Sequence, residues 1–211
     1  GAILVRIANS HIRVGTFQYF AARQMTKEIR ILADYVIKRH FPLSLSTKNI
    51  YENFLMEIIK SQANLISNWM SAGFIHGVMN TDNTCLSGET IDYGPCAFMD
   101  VFDYNRVFSS IDYQGRYSYK NQPNIMLWNL TRFAETILPL IDKDLNKSIN
   151  KAEEILNEFV SIYESNWISN MGRKLGIDDP KKTDKNLIEE FFNLMQNQQL
   201  DFTNSFYSLS F

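Results

Sequence analysis

A short polar stretch carries the residue types that could do chemistry in this 211-residue chain. It contains His76, the pair Asp82 and Asn83, and, after a Ser-Gly-Glu turn at residues 87–89, Asp92. Such a turn between two short strands would place Asn83 and Asp92 on neighbouring chain segments. Carboxamide and carboxylate oxygens are hard ligands that suit Mg²⁺ shared with substrate phosphates. The pattern therefore predicts a metal site at Asn83 and Asp92, with Asp82 beside it as a base.

Each of these residues by itself also has an ordinary structural interpretation. Asn and Asp are common in turns because their side chains bond nearby backbone groups, and a single histidine is usually a hydrogen-bonded, partly buried side chain. The spacing favours function. His76 and Asn83 are seven residues apart, like the ends of the H-R-D-x-x-x-x-N loop of protein kinases, and residues 92–94 take the place of D-F-G.

Val78 departs from that kinase pattern. It occupies the third position of the loop, where kinases have the catalytic aspartate, and it has no group that accepts a proton. An ordinary kinase needs a carboxylate there to orient the acceptor hydroxyl. The departure disfavours γ-phosphoryl transfer, and Asp82, four residues later, supplies a carboxylate instead.

Arg6 is the one charged residue in the apolar run at residues 3–7. The run is short and rich in β-branched residues, which predicts a buried strand. A guanidinium in such a strand must find a partner or face a cleft, and its fork suits phosphate oxygens. An ordinary ion pair is the alternative.

Apolar residues at three- and four-residue spacing predict the helices that position these groups. Gly73 is placed as the left-handed residue that ends the second of them, and Gly172 as the residue that closes the fourth. The predicted helical segments are 29–37, ended by Pro42, then 47–70, 124–138 with its apolar stripe from Trp128 to Leu138, 145–167 and 183–198.

Residues 73–123 lack a helical period and are rich in Gly, Asp, Asn, Tyr and Phe. An irregular stretch of this size between helices is usually functional. With 45% hydrophobic residues the chain can bury a core. We expect one mainly α domain with a small β component: a strand and hinge-like segment over 1–15, the insert over 73–123, and a helical remainder over 124–211.

Charge and hydropathy exclude several classes of partner. The 21 basic and 23 acidic residues are interspersed, so the basic stripe of nucleic-acid-binding proteins is missing. The sequence has no apolar window long enough to cross a membrane and no export signal at its start. We therefore expect neither nucleic acid nor a membrane as a partner. Cys85 and Cys96 do not have zinc or disulfide spacing and are expected to be reduced thiols.

Several short segments together form a signature that covers nearly the whole chain. They include G-V-M-N-T-D-N at residues 77–83 and T-I-D-Y-G-P at residues 90–95. The others are residues 6–8, 10–18, 98–100, 115–117, 121–123, 128–130 and 201–204. With these segments the chain resembles the selenoprotein O family, the pseudokinase-fold protein adenylyltransferases.

The resemblance implies a protein-kinase-like fold that binds ATP in a reversed orientation. Such an enzyme transfers AMP, not the γ-phosphoryl group, to Ser, Thr or Tyr hydroxyls of other proteins. By resemblance Asp82 is the proton acceptor, Asn83 and Asp92 bind Mg²⁺, with Mn²⁺ as the alternative ion, and Arg6 and Arg13 contact the nucleotide. Asp92 thereby also belongs to the nucleotide site.

Other nucleotide-gripping parts of the kinase fold are missing from this sequence. It has no G-x-G-x-x-G loop and no V-A-I-K lysine, which in the family lie upstream, and it has no C-terminal redox motif. We therefore expect residues 1–211 to be a single kinase-like C-lobe domain, a fragment that is inactive in isolation.

Two alternatives to the adenylyltransferase stay open from sequence: a γ-phosphoryl kinase-like transferase and a non-catalytic pseudokinase domain that binds or scaffolds. Val78 disfavours the first, and the presence of Asp82, Asn83 and Asp92 disfavours the second. The expected location is cytoplasmic for a bacterial source, or mitochondrial for a eukaryotic one.

Overall fold

The computed structural model of the chain describes residues 3, 5 and 7–210. Within them the chain is mainly helical with one small sheet, in agreement with the expected fold class. None of the helices in these residues is long and apolar enough to span a membrane. The helices are α1 (Val14–Ala21), α2 (Thr26–His40), α3 (Ile50–Ala72), α4 (Gln122–Ile141), α5 (Leu145–Lys174), α6 (Lys185–Gln198) and α7 (Phe202–Tyr207), and the strands are β1 (Phe74–Ile75) and β2 (Ala97–Phe98).

The central helix of the domain is α3, which packs against α4 and α5. Its apolar face, including Phe54, Ile58 and Ile66, is fully buried. As predicted, α3 ends at Gly73, whose φ of 67° is left-handed. The helix begins at Ile50, three residues later than predicted; residues 47–49 are not helical and follow a 3-10 helix at Pro42–Ser46.

The remaining predicted helices are also present, with two corrections. Gly172 does not end α5, which continues to Lys174. Gly172 instead allows a close contact, since a β-carbon there would lie 2.5 Å from the β-carbon of Pro180. Trp128, predicted on the apolar stripe of α4, is 41% exposed. Its ring is covered by the guanidinium of Arg116, 4.9 Å from the ring centre, and not by the core.

The strand predicted over residues 3–7 is not observed in the part of it that the structure describes. Ile3, Val5 and Ile7 have no strand conformation, and they are 95%, 77% and 91% exposed. A strand needs a neighbour that accepts and donates its backbone hydrogen bonds, and the described residues place none beside this run. Arg6 lies outside the described residues.

Residues 74–121 of the insert contain no α-helix, which confirms the prediction except at its last two residues, where α4 begins at Gln122. The insert is well anchored. β1 and β2 pair antiparallel, with Phe74 opposite Phe98. Further along, the backbone N–H of Phe202 donates to the Asp100 carbonyl at 2.6 Å. The Phe102 ring lies 5.0 Å from that of Phe192. Long-range contacts to α6 and α7 therefore hold the second half of the insert.

Lys174, at the end of α5, is a partly buried cation without a carboxylate partner among the described residues. Its ammonium lies 4.0 Å from the ring centre of Phe206 and 4.7 Å from that of Phe202, and it donates to the Ser71 carbonyl at 2.6 Å. Burial lowers the pKa of Lys174 from 10.5 to about 8. The folded chain therefore binds fewer protons than the unfolded chain between these two pH values.

We expect this difference to make stability depend on pH. Because the unfolded state binds more protons between about pH 8 and 10.5, the free energy of unfolding rises with pH there. Urea denaturation at about pH 7 and pH 9.5 measures this for the unmodified chain and for Lys174→Met, which keeps the other titrating groups. The free energy of unfolding of the unmodified chain, relative to that of the variant, should be larger at pH 9.5 than at pH 7. A difference that does not change with pH would contradict the shifted pKa.

Candidate active site

A pocket of about 370 Å³ opens where the segment before α1 meets the polar stretch that follows β1. Its lining includes four of the predicted site residues. The other lining residues are two apolar ones, one histidine and one tyrosine. The residues that line it are Ala8, His11, Arg13, Asp82, Asn83, Ile91, Asp92 and Tyr93. Arg13, Asp82, Asn83 and Asp92 are therefore brought together as expected, whereas Arg6 lies outside the described residues.

The hairpin between Asn83 and Asp92 forms with less strand structure than predicted. Its two arms are joined by a single antiparallel bridge, Thr84 to Thr90, around the turn at residues 87–89. The first arm pairs mainly with the segment before α1, because Leu86 N–H donates to the Ile12 carbonyl at 2.9 Å. Asn83 and Asp92 lie at the two ends of this hairpin.

Cys85 and Cys96 are both free thiols, as expected. The Cys85 thiol is buried in the first arm of the hairpin and donates to the Ser10 carbonyl at 3.0 Å. It therefore ties the hairpin to the segment before α1 and does not face the pocket.

His76 braces the loop and does not line the pocket. It is fully buried, stacked on Trp69 at 5.2 Å between ring centres. Its Nε2 lies 2.7 Å from the Ile91 carbonyl, and its Nδ1 accepts from the Val78 N–H at 3.3 Å. Burial lowers the pKa of His76, and this outweighs the opposing effects of the Ile91 carbonyl and Asp92. A neutral ring with its proton on Nε2 fits these contacts.

Two buried carboxamides of α4, neither predicted as a site residue, hold the same loop. Gln122 accepts from the His76 N–H at 3.0 Å and donates to the Phe74 carbonyl at 2.9 Å. Asn129 donates to the Met79 carbonyl at 3.0 Å. The signal was available: they are polar residues seven positions apart on a mainly apolar helix face.

Asn83 and Asp92 can supply oxygens to a cation. Asn83 donates its amide N–H to the Val78 carbonyl at 3.0 Å, which leaves its side-chain oxygen for another partner. Asp92 is exposed at the pocket, with a φ of 57° that is uncommon outside glycine but tolerated by Asp. In the described part of the chain, no three His, Cys, Asp or Glu side chains converge as a metal site. A bound Mg²⁺ would thus need oxygens from substrate or water.

Gly15 makes room for Asp82. A β-carbon at Gly15, in the first turn of α1, would overlap with Oδ1 of Asp82 and lie 2.9 Å from its Cγ. On the other side, Arg13 Nη1 donates to the Asp82 carbonyl at 3.3 Å. The Asp82 side chain can therefore take this position only because residue 15 is glycine.

We expect Gly15→Ala to separate stability from activity. Alanine is favoured over glycine in a helix by up to about 1 kcal/mol, so the melting temperature of the chain should stay the same or rise. If the Asp82 carboxylate acts as a base, its displacement by about 1 Å should lower turnover by roughly 10²-fold. Calorimetry and initial rates test this, with Gln18→Ala in the same helix as the control. Equal turnover in both variants would contradict the role of Gly15.

One family model and several known proteins match this chain along its whole length. The model of a family described as "Protein adenylyltransferase SelO" matches residues 1–211. Proteins named protein nucleotidyltransferase YdiU are 55% identical over 210 residues in Clostridium perfringens strain SM101 and 53% identical over 211 residues in Alkaliphilus metalliredigens strain QYMF. This chain belongs to the SelO family, which confirms the resemblance found in the sequence.

The matches also show how much of the relatives this chain represents. Each covers 100% of the chain but only 43% of the length of the relative. A third relative of the same name, from Bacillus cytotoxicus, is 53% identical with the same coverage. The residues of the pocket therefore come from a segment that is less than half the length of such a protein.

Proposed function

We propose that the full-length protein containing this chain is an ATP-dependent protein adenylyltransferase that modifies Ser, Thr or Tyr hydroxyls, and that the chain is its kinase-like C-lobe. The observation that carries the proposal is the composition of the pocket. Asp82 lies in it together with Asn83 and Asp92, whereas Val78, at the position of the kinase aspartate, does not line it. The proposal includes a cytoplasmic location, and neither nucleic acid nor a membrane is a partner in it.

In the proposed reaction the acceptor hydroxyl oxygen attacks the α-phosphorus of ATP. Asp82 takes the hydroxyl proton, a phosphodiester to AMP forms, and pyrophosphate leaves. Asn83 and Asp92 would hold Mg²⁺, which when bound neutralises phosphate charge. Asp82 directly precedes Asn83 in a 3-10 turn, Thr81–Asn83, so the proposed base and metal ligand lie on the same turn.

Arg13 supports a phosphate contact in this pocket. Arg13 is one of the residues that line the pocket, and its buried Nε has no hydrogen-bond partner among the described residues. A guanidinium can offer two parallel N–H groups to phosphate oxygens. Arg6 is assigned the same role on the family resemblance alone.

Labelled nucleotides test the proposal on the full-length protein. ATP labelled at the α-phosphate should transfer label to protein, and ATP labelled at the γ-phosphate should not. Label from the γ-phosphate alone would establish a kinase and overturn the proposal. Transfer from neither, with a folded protein and bound Mg²⁺, would favour a non-catalytic scaffold.

A further inference from the structure

The segment before α1 is attached to the hairpin along its length, and Glu89 makes the outermost attachment. Val14 N–H donates to the Thr84 carbonyl at 3.0 Å, and Arg13 forms a bridge with Cys85. These contacts hold the end of the segment nearest α1. Leu86 N–H and the Cys85 thiol then bond the Ile12 and Ser10 carbonyls. Among the described residues, Glu89 is the side chain of the turn that reaches Asn9, beyond these contacts.

The Glu89 carboxylate holds Asn9 by three hydrogen bonds. Asn9 N–H donates to its two oxygens at 3.0 and 3.3 Å, and the Asn9 side-chain amide donates at 3.2 Å. Ser87 Oγ donates to the same carboxylate at 2.8 Å, which fixes the Glu89 side chain on its own turn. Carboxylate hydrogen bonds of this kind are stronger than neutral ones.

The protonation state of Glu89 agrees with this arrangement. Partial burial acts to raise the pKa of Glu89, but hydrogen bonds from Ser87, Asn9 and Ser10 outweigh it and lower the pKa. On the opposite side, the Arg39 guanidinium of α2 donates to the Asn9 carbonyl. Asn9 is therefore held from two sides, by the hairpin turn and by α2.

We infer that Glu89 is a positioning residue that sets the place of Arg13 in the nucleotide pocket by fixing the segment at Asn9. Glu89 does not line the pocket, whereas Ala8, next to the fixed residue, and Arg13 do. The same hairpin carries Asn83 and Asp92 at its ends. The attachment therefore fixes the position of Arg13 relative to these two proposed metal ligands. This inference rests on the proposed function.

A double-mutant cycle on the full-length protein tests it through nucleotide affinity. The probe is α,β-methylene-ATP with Mg²⁺, which cannot transfer AMP, titrated by calorimetry. Glu89→Ala should raise its Kd about tenfold, and Glu89→Gln, which keeps one acceptor oxygen, should raise it less. In an Arg13→Ala background, Glu89→Ala should change the Kd by less than about twofold, because the effect of Glu89 passes through Arg13 and coupled residues are not additive.

Asp144→Ala is the matched control. The Asp144 carboxylate also accepts a backbone N–H, that of Asn146 at 2.9 Å, but it caps α5 and is absent from the pocket lining. This variant should lose comparable stability with an unchanged Kd. An unchanged Kd in Glu89→Ala, or an equal loss in both backgrounds, would overturn the inference. A wild-type protein that does not bind the analogue would overturn the proposed function, and this inference with it.

Discussion

Asp92→Ala in the full-length protein should abolish Mg²⁺-dependent AMP transfer and leave folding nearly intact. The Asp92 side chain is exposed at the pocket and makes no hydrogen bond or ion pair with another described residue, so its removal costs little packing. In the proposed site its carboxylate is the only anionic metal ligand beside the neutral Asn83. Loss of that charge should remove the cation and the phosphate neutralisation it provides.

Asp92→Asn makes this test sharper. Because the φ of residue 92 is 57°, alanine adds backbone strain, whereas asparagine tolerates this conformation and removes only the charge. Asp178→Asn, the same change at an exposed loop position outside the pocket, is the control. Transfer rates across a Mg²⁺ titration and thermal melts measure the two effects. Full activity of Asp92→Asn at low Mg²⁺ would show that Asp92 is not a ligand of the metal.

Asp82→Ala should lower turnover by roughly 10²–10⁴-fold, the usual contribution of a positioned general base. Nucleotide affinity should be largely kept, because the exposed Asp82 carboxylate is assigned to the acceptor hydroxyl and not to phosphate. Single-turnover rates and analogue binding on the same protein preparation separate these two effects. A loss of affinity equal to the loss of turnover would place Asp82 on the nucleotide instead.

His76→Gln is the comparison that distinguishes the two candidate bases. The His76 ring is buried and bonded to the Ile91 carbonyl and the Val78 N–H, so its replacement should cost about 1–3 kcal/mol of stability. At matched folded fraction its turnover should fall much less than that of Asp82→Ala. The opposite order would exclude Asp82 and leave His76 or a metal-held water as the base.

The sequence predicted the five longest of the seven described helices, α2 to α6, because helical periodicity is local information; the short helices α1 and α7 were not predicted. The apolar spacing of α3 and the left-handed Gly73 at its end are properties of consecutive residues. The grouping of Asn83 and Asp92 could also be predicted, since a turn of only three residues separates the arms between them. Their assignment to a metal and that of Asp82 to proton transfer stay predictions.

The local sequence pattern did not predict the structure correctly where contacts with a distant segment determine it. The apolar run at residues 3–7 has the composition of a strand, but Ile3, Val5 and Ile7 have no partner strand in the described chain. The hairpin arms pair weakly with each other because the first arm bonds to the segment before α1. Gly172 lies inside α5, and its lack of a side chain leaves room for Pro180, a contact that the local pattern did not predict.

The sequence by itself determined the helical class of this protein, its family and the residue types of its pocket. Only the tertiary structure decided what holds those residues in place: Gly15 against Asp82, Gln122 against His76, and Glu89 against Asn9. Asn9 and Glu89 are 80 positions apart in the chain. Contacts at such separations depend on how helices pack around a common core, and periodicity along one segment carries no information about which segment will lie beside it.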